Sequence, residues 1–501
     1  MESFPGAITE SCFKYRGFFA AVQILTISLL LIFLSSCGFN KQYSYENIRK
    51  QYPVREYKTG QSKESEGKAP GVSGIDDDLT LSDAIDIAVQ NNPDMERAAW
   101  KIEQSRSMLL LAKSAFWPRA SVYTEYMQGD APSAYLFKKI DQRQLPQILN
   151  FNDPGWFENF ESGIEAKMNL FNGGKDYLEK KMAEKDLAAS RFEREKIENE
   201  LTARVIKTFY DALAAREFIS IAEQSKDSVA EQLRLARLRH ESGSALKAEV
   251  MSLKVRLARA RDQVIKSKNR YKLTLAGLAN LMGLEPTELT DQKTGLKSGE
   301  NNIYEIPPDY KTAVVKAIDN RPELARTRQQ VVKSRMGLDA AKSTYLPSLD
   351  LSGRYYFDDS GLDYDRDREN WTAALMLRWD LFTGFSRPAM VSRADARVRE
   401  MMAADRQATQ DIKLDVKNAY LALEEARSRY RVAESSVEAA LESYRLVKRQ
   451  YEKGAASITR YLEAELDRNR ARVQAVSARY DRIRAMAEVS RAIGSLGGKN
   501  R

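Results

Sequence analysis

Four stretches of this chain alternate apolar and polar positions with a period of two, and most of the rest is patterned for helix. From Phe160, one face reads Phe160, Ser162, Ile164, Ala166, Met168, Leu170 and the other Glu161, Gly163, Glu165, Lys167, Asn169. From Trp371, Trp371, Ala373, Leu375, Leu377, Trp379, Leu381 oppose Thr372, Ala374, Met376, Arg378, Asp380. Leu349, Leu351, Gly353, Tyr355, Phe357 alternate with Ser348, Asp350, Ser352, Arg354, Tyr356, and the stretch from Ala120 to Tyr126 carries a weaker version. Each is about 9–12 residues long with aromatics near its ends, the length and dress of a strand crossing an outer membrane. Period two alone also fits a half-buried hairpin of a soluble domain. Two features favour the membrane. The polar faces carry full charges, which suits a watery lumen, and the flanking helical segments are too polar to bury a sheet. Four strands cannot close a barrel, and an open strand edge is not tolerated in lipid. Membrane strands here therefore require several copies, and three would supply twelve strands.

The helical segments are long. Gly174 to Ser242 and Ser386 to Lys453 would each extend roughly 100 Å at about 1.5 Å per residue. In the second, Val416, Tyr420, Leu423, Ala426, Tyr430, Ala433, Val437, Ala440, Tyr444, Val447 and Tyr451 recur every 3.5 residues on average, a coiled-coil seam. The first (Val205, Phe209, Ala212, then less regular) is noisier. Shorter helices return from each, Leu246 to Met282 and Ile458 to Ile493. Stacked end to end with the helices of roughly 20 residues that precede the strands, they match the long ones in length.

These elements occur twice. Asn92-Pro93 answers Arg321-Pro322, and Phe116-Trp117-Pro118 answers Tyr345-Leu346-Pro347, both at an offset of 229 residues. Leu170-Phe171-Asn172-Gly173 answers Leu381-Phe382-Thr383-Gly384, Gly243 answers Gly454 and Gly283 answers Gly494, all at 211. The first copy therefore carries 18 extra residues, most of them between Gly129 and Asn159, a polar loop expected outside the cell. Each copy reads as a short helix (Leu81–Asn91, Tyr310–Asn320), a helix starting at a proline, two strands, a long helix, a glycine turn and a returning helix. A repeat of this size is no solenoid unit; the chain is one architecture built twice.

Composition narrows the function. Charged residues make up 30% of the chain and aromatics 9%, as in long helices. The net charge of +9 is spread over helices of mixed sign, without the basic, aromatic-laced face that nucleic acid requires. Both cysteines, Cys12 and Cys37, fall in the first 40 residues, so the body has no disulfide, thiolate chemistry or cysteine metal site. No polar constellation for catalysis is present, and no cofactor or metal is expected. The lone histidine, His240, lies in a charged run beside one glycine turn and reads as a surface residue. Asp76-Asp77-Asp78 stands alone, and Asp363-x-Asp365-x-Asp367 lacks the glycine and distal glutamate of a calcium loop. Gly173-Gly174 marks a strand-to-helix joint, not a phosphate loop.

The N-terminus reads as an address. Lys14 and Arg16 precede an apolar run from Gly17 to Leu34, and Leu34-Ser35-Ser36-Cys37 closes it. An apolar run of this size can also anchor a membrane, but small residues beside a cysteine favour cleavage. Leu-Ser-Ser-Cys resembles the bacterial lipobox, whose cysteine is acylated and becomes the first mature residue. Gly38, in place of the aspartate that marks inner-membrane retention, resembles the form sorted to the outer membrane. Asn40 to about Asp78 is polar and reads as a tether.

Together the duplicated Asn/Arg-Pro helix start, the proline before the first and third strands, Leu-Phe-Asn-Gly-Gly at 170–174 with Leu-Phe-Thr-Gly at 381–384, and Arg-His-Glu-Ser-Gly at 239–243 with Gln-Tyr-Glu-Lys-Gly at 450–454 resemble the TolC-type outer membrane efflux family. The resemblance covers about residues 79 to 497. It implies a mainly α protein with membrane β, a coiled-coil α-barrel tunnel joined to four transmembrane strands per chain, assembled as a homotrimer with a twelve-stranded barrel. The implied function is a passive exit duct in the outer membrane of a Gram-negative bacterium, lipid-anchored and reaching into the periplasm. The implied partners are a periplasmic adaptor (membrane fusion) protein and through it an inner-membrane transporter, in efflux or type I secretion. The domains then run 1–36 signal peptide, 37–78 acylated tether, 79–283 first repeat (hairpin 119–171, tip near 243), 284–309 linker, 310–497 second repeat (hairpin 348–382, tip near 454) and 498–501 tail.

The resemblance also assigns sites. Alignment on the two tip glycines puts Glu249 and Glu463 on acidic positions of a periplasmic gate and Tyr451 on its tyrosine. Arg460 stands where the best-known members carry an acid and Ala456 where they carry a base, so an Arg460–Glu463 or Arg460–Glu249 pair across protomers would replace the family network. The plain alternative is that these are solvated helix charges. Gly243, Ser244, Ala245, Leu246 and Gly454, Ala455, Ala456, Ser457 are the adaptor-docking tips, where small residues admit another hairpin. The rival reading, a periplasmic coiled-coil adaptor or scaffold lipoprotein without a pore, expects a separate β-domain between two helices rather than two duplicated hairpins.

Overall fold

A computed structural model of the chain describes residues 45–51, 79–148, 150–291, 295–297, 304, 306–361 and 366–496. The apolar run 17–34, Cys12, Cys37, Asp76–Asp78, Asp363 and Asp365 lie outside the described residues. The chain divides into two compact units, 1–71 and 72–501. In the first, the described part is one helix, α1 (Tyr45–Gln51), inside the stretch read as a tether.

The second unit repeats one sequence of elements. The first copy runs β1 (Leu79–Thr80), α2 (Leu81–Asn91), α3 (Pro93–Ser114), β2 (Arg119–Gly129), α4 (Pro132–Asp141), β3 (Phe157–Asn172), α5 (Lys175–Glu241) and α6 (Lys247–Leu281). A linker with α7 (Glu288–Asp291) and β4 (Leu296–Lys297) follows. The second copy runs α8 (Tyr310–Asn320), α9 (Pro322–Ser343), β5 (Ser348–Asp359), a 3-10 turn (Arg366–Arg368), β6 (Glu369–Arg378), α10 (Ser386–Glu452) and α11 (Ile458–Ala492).

Local chemistry explains the helix boundaries. Thr80 opens α2 with a capping box closed by Asp83, and Asp309 caps α8. Pro93 and Pro322 occupy first-turn positions of α3 and α9, where the missing N–H costs nothing. Both helices stop at Ser114 and Ser343, a turn earlier than the following prolines suggest. The long helices α5 and α10 have 67 residues each, or about 100 Å. In α10 all eleven seam positions are buried or half-buried, and between Val416 and Tyr451 the only other such residue is Ala419. At the start of α10, Phe385 takes the left-handed conformation that Gly174 takes before α5.

The shorter helices do stack end to end. Asn92 at the head of α3 donates through Nδ2 to the carbonyl of Leu281 at the end of α6, 2.9 Å. Arg321 at the head of α9 reaches the carbonyl of Ala492 at the end of α11, 3.1 Å. Helices α3 and α6 lie along α5, α11 lies along α10, and α9 lies between α5 and α10.

Among the described residues, three apolar clusters hold this arrangement. One joins α2 to the middle of α5 around Val205, Ile206, Phe209 and Leu213, with Leu278 of α6 and Leu296 of the linker. Its counterpart joins α8 to α10 around Val416 and Leu423, with Val489 of α11. A third, around Leu233, Leu253, Val447 and Tyr461, ties the two helical hairpins together near their tips. The two-residue parallel pair β1–β4, with Leu79 opposite Leu296, clips the inter-copy linker to the start of the first copy.

β2, β3, β5 and β6 form one antiparallel sheet in that order, leaving β2 and β6 as its edges. Two boundaries depart from the alternation. β6 ends at Arg378, so Trp379 and Leu381 lie beyond the ladder. A bulge between Asn169 and Phe171 puts Phe171 rather than Leu170 opposite Leu349, since one extra residue in a strand reverses the facing of those after it. The loop from 129 to 159 is not merely polar loop; it contains α4.

Candidate functional site

Pairing sorts the sheet into two chemically distinct faces. Val122, Ile164, Tyr355 and Trp371 stand in one row across all four strands, and Met168, Leu351 and Leu375 in another. Among the described residues nothing covers this face: Val122 is 80% exposed, Trp371 77% and Leu377 66%. Beyond its inner end, near the helices, Trp117, Trp379, Phe382 and Phe385 are exposed as well. An uncovered apolar sheet bounded by aromatics suits lipid.

The opposite face is charged and cross-linked. Ser121, Glu165, Arg354 and Thr372 form one row, and Arg119, Lys167, Ser352 and Ala374 another. Tyr123 donates to Glu161 at 2.7 Å, Lys167 lies 2.8 Å from Glu165, and Asn169 donates to Asp350 at 2.7 Å. At the outer end Lys138 of α4 reaches Glu161 at 2.7 Å and Asp358 at 2.8 Å. Burial would lower the Lys138 pKa, but the bonds to Asp358 and Glu161 outweigh it and hold the ammonium well above its ordinary value.

At the other end of the molecule the two helical hairpins have matching tips. The Gly243 N–H donates to His240 and the Ser244 N–H to Arg239; Gly454 donates to Tyr451 and Ala455 to Gln450, the paired bonds of a glycine-terminated helix. Gly243, Ser244, Leu246, Gly454, Ala455 and Ser457 are exposed, while Ala245 and Ala456 are half-buried. Ser457 also caps α11 by accepting from the Arg460 N–H at 3.3 Å. His240 has a definite place: its Nδ1 lies 2.9 Å from the Ala245 carbonyl, bracing the turn.

The residues expected at the gate lie on the helices beside these tips: Glu249 in the first turn of α6, Tyr451 near the end of α10, and Arg460 and Glu463 near the start of α11. Arg460 and Glu463 lie 3.8 Å apart on the same helix and are 64% and 55% exposed, so their attraction is largely screened by water. Tyr451 instead accepts from Arg239 at 3.2 Å and stacks on Tyr461 with centroids 5.1 Å apart. Burial raises the Tyr451 pKa, with Arg239 opposing and Glu249 adding to the rise.

The family model for outer membrane efflux proteins matches residues 84–284 and 313–495, one match for each copy. The chain belongs to the outer membrane efflux protein family. It is similar to the alkaline protease secretion protein AprF of Pseudomonas aeruginosa, 26% identical over 64% of this chain and 65% of that one. It is also similar to the proteases secretion protein PrtF of Dickeya chrysanthemi, 22% identical over 83% of this chain and 88% of that one. Its fold matches the crystal structure of the CmeC outer membrane channel of Campylobacter jejuni, with a TM-score of 0.72 at 18% identity, covering 84% and 87% of the two chains. As a member of the efflux protein family the chain is an outer-membrane channel protein and not an enzyme.

Two features of this efflux protein escaped sequence reasoning. Tyr461 is 1% exposed and sits at the centre of the tip cluster, bonded to Tyr444 at 3.1 Å and Gln232 at 3.3 Å. Its signal was available, since it falls on the inward side of α11 with Ala464 and Glu465. The Lys138 cluster had no such signal, because Glu161 and Asp358 are 23 and 220 residues away from it.

Proposed function

We propose that this chain is one third of a passive exit duct. Three copies pair β6 of one with β2 of the next and close a twelve-stranded barrel in the outer membrane, lined by the charged face. The observation that carries this reading is the sheet itself: one face apolar and uncovered, one face charged, and both edges unpaired. Such an edge cannot stay open in lipid. The helices continue the wall into the periplasm. The two tips, at Gly243–Leu246 and Gly454–Ser457, dock on a periplasmic adaptor and through it on an inner-membrane transporter, in a tripartite efflux or type I secretion system. Residues 1–36 are a signal peptide, Cys37 is acylated, and 37–78 tether the anchored end. The copies span 79–283 and 310–497, joined by 284–309, with 498–501 as tail. Glu249, Tyr451, Arg460 and Glu463 form the periplasmic constriction.

Single-channel conductance of the full-length protein in a planar bilayer tests the duct and the constriction together, beside an Arg460→Ala, Glu463→Ala double variant. A small, mostly closed conductance that rises in the variant is expected. Equal conductance removes the gate assignment and keeps the duct. No conductance, from protein that stays in solution without detergent, favours a pore-free adaptor. Mass spectrometry of the mature N-terminus, beside Cys37→Ser, reads the acylation.

A further inference from the structure

The extra residues of the first copy are built into the sheet's charged face. Helix α4 lies against the outer end of that face and is fastened along one side. Lys138 bridges Glu161 and Asp358, while Gln142 donates to Asn159 at 2.8 Å and Asn159 donates to Asp358 at 2.7 Å. Gln142, Asn159 and Asp358 are at most 1% exposed, and Tyr135 on the same side of α4 is buried too. Glu161 lies four residues inside the outer end of β3, so α4 is tucked beside the sheet rather than perched on its rim. At about 100° per residue, the side of α4 opposite Tyr135, Lys138 and Gln142 carries Phe137 and Ile140. These two apolar side chains are 65% and 41% exposed and point away from their own wall.

We propose that in the assembled duct the α4 helices of the three copies pack on one another around the axis, Phe137 and Ile140 against their counterparts, and close the outer mouth with an apolar plug. The inference rests on the trimeric barrel proposed above. Closing the sheet with its charged face inward puts every α4 inside the wall, where the helix available to meet it is α4 of another copy. Dimensions decide whether the helices touch. Twelve strands about 4.8 Å apart and tilted about 40° enclose a backbone radius of roughly 12 Å. A helix with its side chains is about 10 Å across, and three such cylinders around a common axis need a radius of about 11 Å. The wall's own inward side chains take up part of that radius, so three α4 helices at one level have no room to stay apart. A constriction lined by apolar side chains excludes ions and water without any charged barrier. Lys138 is the positioning residue: it holds α4 against the wall so that the apolar side faces the axis.

The test uses full-length protein extracted from membranes in mild detergent, carrying Phe137→Cys, with the flanking Lys139→Cys as control. The unsubstituted protein, which keeps Cys37 alone of the two cysteines in the sequence once residues 1–36 are removed, gives the background. Light scattering reads the mass of each sample before oxidation, and a non-reducing gel reads linkage afterwards. The expected result is a trimeric mass with most Phe137→Cys chains linked as dimers and Lys139→Cys chains unlinked. Adding Lys138→Met should cut the Phe137→Cys link several-fold at unchanged mass. A trimer in which Phe137→Cys stays unlinked, even by a short bismaleimide, overturns the plug and keeps the barrel. Equal linkage at Lys139→Cys also overturns it, and an unchanged link with Lys138→Met removes the positioning role. A mass that is not trimeric sinks the barrel and the plug together.

Discussion

Arg321 donates through one guanidinium nitrogen to Asp415 at 2.7 Å and to the Ala492 carbonyl at 3.1 Å, so one buried side chain ties the head of α9 to both α10 and the end of α11. Asn92 does the corresponding work in the first copy with a shorter reach. It caps the Asp94 N–H at 2.8 Å and donates to Leu281, the residue that matches Ala492 at the 211 offset. The joint is duplicated while its chemistry is not.

Replacing Arg321 by Met should therefore cost more than replacing Asn92 by Ala. Loss of the cation leaves Asp415 with Arg491 alone and the Ala492 carbonyl unpaired, at about 2–4 kcal/mol. Asn92→Ala removes a cap and one long-range bond, about 1–2 kcal/mol. Denaturant midpoints of the two variants in detergent check the order.

The same carboxylate makes stability depend on acid. Burial would raise the Asp415 pKa, but hydrogen bonds from Arg491 and Arg321 outweigh it and hold it below the ordinary 3.8. A group depressed in the folded state contributes fully above its unfolded pKa and loses that contribution as pH falls through the folded one. Stability from this site should be level above about pH 5 and decline from near pH 4 downward. Asp415→Asn should be less stable at neutral pH and flatten that limb of a melting-temperature profile.

Two glycines with the same backbone shape should respond differently. Gly283 and Gly243 have φ of +71° and +76°. A Cβ on Gly283 would lie 2.4 Å from the Asn91 carbonyl oxygen, whereas one on Gly243 meets nothing within 4 Å. Gly243→Ala should cost about 1 kcal/mol for the left-handed conformation alone. Gly283→Ala must also push α2 away and should cost at least about twice that. Thermal melts of the two variants separate the terms.

Neighbouring positions on β6 should divide by face. Leu375 stands on the uncovered apolar face and Ala374 on the charged one. Leu375→Arg should cost about 2–4 kcal/mol if that face meets lipid and reduce the fraction that floats with vesicles. Ala374→Arg should leave that fraction unchanged. Equal losses would sink the assignment of faces.

Tyr461 separates packing from hydrogen bonding at the tips. Tyr461→Phe keeps the stack on Tyr451 and loses the hydroxyl bonds to Tyr444 and Gln232, about 1 kcal/mol. Tyr461→Ala empties a fully buried site, about 3–5 kcal/mol. Hydrogen exchange at the tips should rise sharply in the second variant and little in the first.

What could be read from sequence follows the range of the interactions involved. The α10 seam was legible because a residue every 3.5 positions is a local pattern, and its positions from Val416 to Tyr451 are buried or half-buried where that pattern places them. The strands were legible for the same reason, except where geometry interrupts the period: at the bulge beside Leu170 and after Arg378, where the chain leaves the ladder. Helix α4 left a faint trace, Pro132 in its first turn and Tyr135, Lys138 and Gln142 on one side, hidden by the polar loop around it. The pairs Arg321–Asp415 and Lys138–Asp358 left none, since charged residues 94 and 220 positions apart carry no mark of each other. The two-residue pair β1–β4 is too short to show a period. The tip residues Arg460 and Glu463 were placed by resemblance, and their exposed contact adds no packing to that placement.

The unpaired edges of β2 and β6 bear on how the protein reaches its membrane. A lone chain presents a ladder of unsatisfied amides that hydrocarbon cannot hydrate, so the solitary sheet is barred from the bilayer by its own backbone. For the trimeric barrel proposed above, insertion would then belong to chains that have already met, and its rate would grow more steeply than linearly with the number of copies waiting in the periplasm. Scarce synthesis would leave protein stranded in water, and a modest increase in supply would move a disproportionate share into the membrane.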